Sequence, residues 1–339
     1  MSGQQAPYQD AIDRVVYLLD RDLAPLQKVR AFTKGRAILD RLGAEEVEAR
    51  ARQGRLTNLE GIGRSIDAVV QGAYGVGPTD YLDKLEAATA IPLGDGAELR
   101  GLLRGDCHSH STWSDGGAEL RTMAETARDL GHSYLVATDH SARLTVAKGL
   151  SPERLAEQLV EIEGLNEELA PFRILTGMEV DILEDGSLDL PEEFLARLDV
   201  VVASVHHKIH MPENEMTRRL VTAVASPHVD ILGHCTNRKV GNKTRKPSTF
   251  DPDYVFAACA RFNTAVEINC RPERQDPPDE LLELAIQWDC RISIDSDAHA
   301  PGQLEWINHG CRRAADIGIE PDRIINTRDA DDLIELCNS

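Results

Sequence analysis

The spacing of hydrophobic positions changes character near residue 100. Between residues 8 and 88 they recur at helical intervals: Ile12, Val15, Val16, Leu18 and Leu19 form one stripe, and Val29, Phe32, Ile38 and Leu39 another. No stretch there alternates as a half-buried strand does. From about residue 102, short continuous apolar runs take turns with helix-like stretches. The runs cover residues 102–103, 135–137, 173–178, 199–205, 229–233, 265–268 and 291–294, with 324–325 last. Helix-like patterns cover 118–130, 151–168, 213–224 and 329–337. Continuous β-branched runs mark strands buried on both faces, and helices between them mark βαβ units. Seven or eight such units fit a closed (β/α) barrel better than an open sheet. Pro92-Leu93-Gly94-Asp95-Gly96 is turn-rich and marks a boundary. The expected organisation is a small all-α domain over residues 1–100 and an α/β barrel over 101–339.

The polar residues that end the apolar runs carry the chemistry. After Leu102-Leu103 comes Gly105-Asp106-Cys107-His108-Ser109-His110-Ser111-Thr112-Trp113-Ser114-Asp115-Gly116. In extended chain, residues two apart share a face, so His108 and His110 aim at one point. Asp115, beyond a Ser-Asp-Gly turn, can reach back to them. His140, Glu179, His206 and His234 each follow a later run, and Asp297 and His299 follow the run at 291–294. A (β/α) barrel builds its site at such strand ends. Each residue alone has a bland reading as a cap or turn residue. Together, six His, two Asp and one Glu exceed what one four-coordinate metal needs. Two or three divalent ions follow, with a carboxylate such as Glu179 bridging. Mixed imidazole and carboxylate donors suit Mn, Zn or Fe.

Charge and cysteine usage narrow the picture. A net charge of −20 argues against broad electrostatic binding of nucleic acid. Seven Cys, an odd number without a CxxC pair, point to reduced thiols. The N-terminal stretch has no apolar signal region, and no run approaches the ~20 apolar residues of a membrane span. The expectation is a soluble, cytoplasmic protein that meets no membrane. Against this acidity one basic run stands out, Asn237-Arg238-Lys239-Val240-Gly241-Asn242-Lys243-Thr244-Arg245-Lys246. It follows His234, which on a barrel places it over the active face as local attraction for phosphate, or as a solvated charge run. Substrate-binding candidates are Arg238, Lys243 and Arg245, with Arg143, Lys208 and Arg274 near other strand ends. Arg271, His207 and His210 are further neighbours.

Two resemblances sharpen these readings. The Gly61-Ile62-Gly63-Arg64 turn, with backbone N–H groups exposed at a helix start able to take an anion, resembles a helix-hairpin-helix motif. Its surroundings are similar to the N-terminal helical domain of family X DNA polymerases, the polymerase beta group. That resemblance implies that Gly61, Gly63 and Arg64 grip a DNA backbone. Residues 1–100 carry 13 basic against 15 acidic side chains, without the positive surface of a DNA binder, so a helical cap is the alternative. The palm and fingers of a polymerase are absent, and nucleotide polymerisation is not expected.

The second resemblance rests on Asp-x-His-x-His-Ser-x-x-Ser-Asp-Gly, Thr-Asp-His-Ser, Gly-Met-Glu, Ser-Val-His, Gly-His and Ser-Asp-Ala-His. These resemble the motifs of PHP-domain phosphoesterases over residues 102–328, most closely the C-terminal PHP domain of bacterial family X polymerases. The resemblance implies a distorted seven-stranded (β/α) TIM-like barrel holding three metals. His108, His110, Glu179 and Asp297 would hold the first, Glu179, His206 and His234 the second, and Asp115, His140 and His299 the third. Cys107 stands where relatives often have Leu. The implied reaction is metal-dependent hydrolysis of a phosphoester, with Glu179 and Asp297 at its centre. Asp106 and Asp139 would orient the His ligands by accepting their distal N–H groups. The polymerase-linked branch implies action at a nucleic-acid 3′ end, as a 3′-5′ exonuclease or 3′-phosphatase. The alternatives are a small-molecule phosphatase such as a histidinol-phosphatase, and a non-catalytic DNA-repair scaffold.

Overall fold

A computed structural model describes residues 5–241 and 244–338. The chain divides into two compact units, Met1–Ala90 and Ile91–Ser339. Ile91 onward goes with the second unit because Leu99 and Leu103 are buried in its core.

The first unit is helical: Pro7–Arg21, Leu26–Leu42, Ala44–Arg52, Arg64–Ala73 and Asp80–Thr89. The two stripes read from the sequence meet inside it. Ile12, Val15, Leu19, Phe32 and Leu39 pack with Val47, Leu56, Ile62, Ile66 and Val70. Gly61 turns the chain with φ +89°, and a Cβ there would meet Ile38 Cδ1 at 2.6 Å. Gly63 stands before the helix Arg64–Ala73, and Arg64 is exposed at its start.

The second unit is a ring of seven parallel strands in chain order: β1 Gly105–Ser109, β2 Tyr134–Ala137, β3 Arg173–Asp181, β4 Val200–Ser204, β5 Ile231–Leu232, β6 Ala265–Asn269 and β7 Ile292–Asp295. Every residue of β1, β2, β4, β5, β6 and β7 is buried, as continuous apolar runs require of strands covered on both faces. The main helices between strands are Leu120–Asp129, Pro152–Leu169, Glu213–Val224, Pro252–Phe262 and Asp279–Gln287, with Ile307–Ile317 and Ala330–Cys337 after β7. Ser151, Asp251 and Asp329 cap three of them with side-chain oxygens.

Two of the expected runs are not strands. Leu102 ends the helix Ala97–Leu102, and the first strand is the His-x-His motif itself. Ile324 makes only a bridge to Ile292. Its segment closes the ring instead. Between β7 and β1 the strand ladder is replaced by a Ser109–Ala298 bridge and by the wholly buried Asn326. The Asn326 carbonyl accepts from Arg104 N–H (2.7 Å), its Oδ1 accepts from Ile294 N–H (2.7 Å), and its Nδ2 donates to Asp295 Oδ1 (2.9 Å). Nδ2 also reaches the Gly105 carbonyl at 3.4 Å, so this one residue serves both strand edges.

All seven cysteines are free thiols. Cys107 is buried among Tyr134, Val136, Val202 and Ile231 and belongs to no metal-type cluster among the described residues. No helix among the described residues is long and apolar enough to cross a membrane.

If Asn326 closes the ring, Asn326→Leu strands buried donors and acceptors on both edges and costs about 3 kcal/mol. Denaturant unfolding of the variant should show that loss, and a change within experimental error would mean the seam is held elsewhere.

Candidate metal centre

The nine motif residues converge at the C-terminal ends of the strands. In β1 the register to β2 slips by one residue between Asp106 and Ser109. That bulge re-aims the strand end, and the His108 and His110 rings come to 5.1 Å between centroids. His140 extends β2 and bridges to Glu179 on β3. His206 and His234 follow β4 and β5. Asp297 and His299 follow β7. His234 and Asp297 sit at positive φ, +22° and +53°, a conformation that costs a non-glycine residue about 1 kcal/mol or more and clusters at functional sites.

Glu179 is the centre. It is 1 % exposed, and its two oxygens face different imidazoles. Oε2 lies 3.4 Å from His108 Nε2, 3.6 Å from His110 Nε2 and 2.8 Å from His140 Nδ1. Oε1 lies 3.3 Å from His206 Nε2 and 2.8 Å from His234 Nε2. Asp297 Oδ1 lies 3.5 Å from His110 Nε2 and from His299 Nδ1. Asp115 Oδ1 lies 3.5 Å from His140 Nε2 and 3.3 Å from His299 Nε2.

Donor atoms within 4.8 Å of one another fall into three groups: His108, His110 and Glu179; His140, Glu179 and His206; and His110, Asp115, His140 and His299. The allocation expected from sequence differs in detail, since His110 and His140 each stand in two groups. His234 and Asp297 reach the groups through Glu179 and His110.

These residues fit divalent ions on their own geometry. His108 Nε2, His110 Nε2 and His206 Nε2 are buried without a hydrogen-bond partner, a costly state for polar nitrogen unless something else takes the lone pair. The mixed donor set is the one that Zn, Mn or Fe accept. Charges compensate one another within the cluster. Burial raises the Glu179 carboxyl, but His206, His140 and His108 outweigh it and hold the group well below its usual range. Burial raises Asp297 too, and Arg271 with His110 reverse it. Burial pushes the His234 imidazole down to about 3, with help from Arg274, so that ring is neutral and able to ligate at pH 7.

The groups that orient the ligands are not the expected ones. Asp106 Oδ1 accepts backbone N–H groups of His108 (3.1 Å) and Ser296 (3.2 Å) and touches no imidazole. Asp139 accepts from Ser111 N–H and Oγ (2.9 and 2.7 Å), from Ser114 N–H and Oγ (3.0 and 2.5 Å) and from Gln158 Nε2 (2.7 Å). It therefore builds the turn that carries Asp115. A Cβ on Gly116 would strike the Ser111 backbone at 2.6 Å, so that turn needs glycine.

The imidazoles are held by Glu267 and Asp181. Glu267, wholly buried on β6, takes His108 Nδ1 at 2.6 Å and, on its other oxygen, the His234 N–H and Asn269 Nδ2 (3.2 Å). Asn269 passes a second N–H to Asp297 Oδ2 at 3.0 Å. Asp181 takes His206 Nδ1 at 2.7 Å and His207 Nδ1 at 2.9 Å. The sequence carried a signal for both: an acid inside a buried apolar run, Ala-Val-Glu-Ile and Glu-Val-Asp, must find a partner.

Of the basic candidates, Arg274 reaches the centre, with Nε 3.4 Å from Asp297 Oδ2. Arg271 Nη1 lies 2.9 Å from His299 Nδ1. Arg238 is tied to the carbonyls of Arg274 and Gln275, and Arg245 Nε to the Asn237 carbonyl (2.7 Å). Arg143 and Lys208 are exposed, and no described contact links either side chain to the ligands. Lys243 lies outside the described residues.

Comparison with known proteins agrees with this geometry. The family model described as PHP domain matches residues 106–247. Over 233 residues the chain is 40 % identical to the "DNA polymerase/3'-5' exonuclease PolX" of Bacillus subtilis, a match spanning 69 % of this chain but 40 % of that protein. A "probable phosphatase" of Caldicellulosiruptor saccharolyticus is 30 % identical over 207 residues, 58 % of this chain and 80 % of that one. A probable phosphatase of Thermoanaerobacter sp. is 28 % identical over 235 residues, 66 % and 89 % of the two chains.

Holding an imidazole from behind fixes its tautomer and strengthens its grip on metal. Glu267→Gln should therefore weaken binding of one divalent ion about 10- to 100-fold, as read by calorimetric titration of Zn or Mn. Unaltered affinity would show that Glu267 only fills space.

Proposed function

The chain belongs to the PHP-domain family of metal-dependent phosphoesterases, and on that premise we propose that it hydrolyses phosphoesters at nucleic-acid 3′ ends, as a 3′-5′ exonuclease or 3′-phosphatase. The observation that carries the chemistry is Glu179, one buried carboxylate with separate imidazoles on each oxygen. Two or three ions of Mn, Zn or Fe would be held by His108, His110, Asp115, His140, Glu179, His206, His234, Asp297 and His299. When bound, such ions would activate water and stabilise the leaving oxygen of a phosphoester displacement.

The chain's own groups do the rest. Glu179 and Asp297 set the centre's charge and spacing. Glu267 and Asp181 hold the Nδ1 atoms of His108 and His206, so that each Nε2 points inward. Asp139 holds the turn that brings Asp115 against His140 and His299. Arg274, beside Asp297, is placed to meet a phosphate oxygen, and its charge-assisted N–H bonds suit that partner. Arg238 and Arg245 shape the loop beside it. No side-chain nucleophile is needed.

The nucleic-acid assignment rests on the 40 % identity to a protein named as an exonuclease, although this chain spans less than half of that protein's length. The N-terminal unit supports it by placing the Gly61–Gly63 turn at the start of the helix Arg64–Ala73. There Gly61, Gly63 and Arg64 would hold a phosphate of single-stranded or damaged DNA. A second reading, a small-molecule phosphatase such as a histidinol-phosphatase, is favoured by the net charge of −20. It also draws on the probable phosphatases, whose lengths this chain largely spans. A non-catalytic scaffold would not need nine convergent ligands.

The deciding assay offers Mn-loaded protein histidinol phosphate and a single-stranded oligonucleotide side by side. Release of nucleotide or phosphate from the oligonucleotide is the expected result. Turnover of histidinol phosphate alone would overturn the nucleic-acid assignment and leave a metabolic phosphatase.

A further inference from the structure

Two loops that leave neighbouring strands are laced together beside the metal centre. The loop after β5 carries Thr236 to Arg245, and the loop after β6 carries Arg271 to Asp276. Val240 N–H donates to the Glu273 carbonyl at 2.8 Å. Arg238 Nε donates to the Arg274 carbonyl at 3.1 Å. The Asp276 carboxylate accepts N–H groups of Thr236 (3.0 Å) and Arg238 (3.2 Å). Within the first loop, Lys239 and Arg245 pair as an antiparallel bridge through their backbones, at 3.0 and 3.3 Å.

The lacing gathers Arg238, Lys239, Arg245, Arg271 and Arg274 in a chain whose net charge is −20. The carboxylates facing them are Glu273, Asp276 and Asp297, with Asp115 near Arg271 and Asp279 and Glu280 near Arg238. The ion pairs are Arg271–Glu273 at 3.0 Å, Arg271–Asp297 at 3.6 Å and Arg274–Asp297 at 3.4 Å. Lys239 and Arg245 take no part in them. Arg274 Nη1 is buried with no hydrogen-bond partner. Burial lowers the Lys239 ammonium, and the Arg274 and Arg245 charges lower it further. Burial and the Arg274 charge act the same way on Arg245. Half-buried like charges with N–H groups to spare are costly by themselves, and an anion between them relieves the cost with charge-assisted bonds.

We propose that Lys239, Arg245 and Arg274 form an anion subsite beside the metal centre that takes the phosphate next to the one being cleaved. The preferred substrate then carries at least two phosphates on one chain, as an oligonucleotide or a bisphosphate does. Arg274, at Asp297, stands nearer the centre, and Lys239 and Arg245 stand on the adjoining loop. This rests on the phosphoesterase reading and narrows its substrate class.

The test compares three substrates with wild-type protein and Lys239→Glu: p-nitrophenyl phosphate, thymidine 3′,5′-bisphosphate and single-stranded tetrathymidylate. Losing one charge-assisted contact should raise KM for the substrates with more than one phosphate about tenfold relative to p-nitrophenyl phosphate, with kcat little changed. A rise for tetrathymidylate without one for the bisphosphate keeps the subsite and makes it a reader of nucleic-acid strands. Equal shifts on all three substrates, or none, would overturn the subsite. Wild-type protein that cleaves none of them would overturn the phosphoesterase reading beneath it. Lys239→Gln, with the charge removed rather than reversed, should give a smaller shift in the same direction. An unaltered thermal unfolding curve separates these effects from misfolding.

Discussion

A carboxylate at the centre of a barrel is the constraint on which the rest depends. Glu179 is sealed from water, and an isolated charge in that position costs several kcal/mol. The fold answers with imidazoles on both oxygens, drawn from four other strand ends. Behind them stand two more buried carboxylates, Glu267 and Asp181. Imidazoles are neutral when they ligate. Asp115, Glu179, Asp181, Glu267 and Asp297 then leave an excess of negative charge that Arg271 and Arg274 only partly offset. Divalent cations complete that balance, so the acidity of the mouth and the affinity for metal are one property.

The architecture bends to serve this charge. β1 gives up a regular register at its bulge. His234 and Asp297 adopt left-handed backbone. The ring leaves a seam between β7 and β1, and Asn326 fills it with hydrogen bonds that a strand ladder would otherwise supply. Glu267 ties His108 on β1 to His234 after β5, and through Asn269 reaches Asp297 after β7. Residues of different donor groups are therefore mechanically joined through the barrel interior.

Much of this was legible in the chain. The barrel followed from apolar runs that did not alternate, and the nine residues that converge at the strand ends were picked out by their place after those runs. What escaped notice had physical reasons. Glu267 lies inside an apolar run rather than after it, and so reads as a strand residue until its face is known. Asp106 and Asp139 sit beside ligands in sequence, but Asp106 Oδ1 is spent on backbone N–H groups and the Asp139 oxygens on a serine turn that only the folded chain brings near. Ile324-Ile325 has the composition of a strand, yet its segment closes the seam. Arg238 and Arg245 were visible as charge, whereas the carbonyls that engage their guanidinium groups, Arg274 and Gln275 for Arg238 and Asn237 for Arg245, are brought to them only by the folding of the loops. The Gly61–Gly63 turn was legible as a turn, but a turn alone does not say what it holds.

The most direct test of the account is the metal content of purified Glu179→Ala beside wild type, measured by plasma mass spectrometry. If one carboxylate joins two ions, the variant loses two ions per chain and its hydrolytic activity while keeping its fold. Full metal content with wild-type turnover would contradict the central role of Glu179 and require another group to bridge the site.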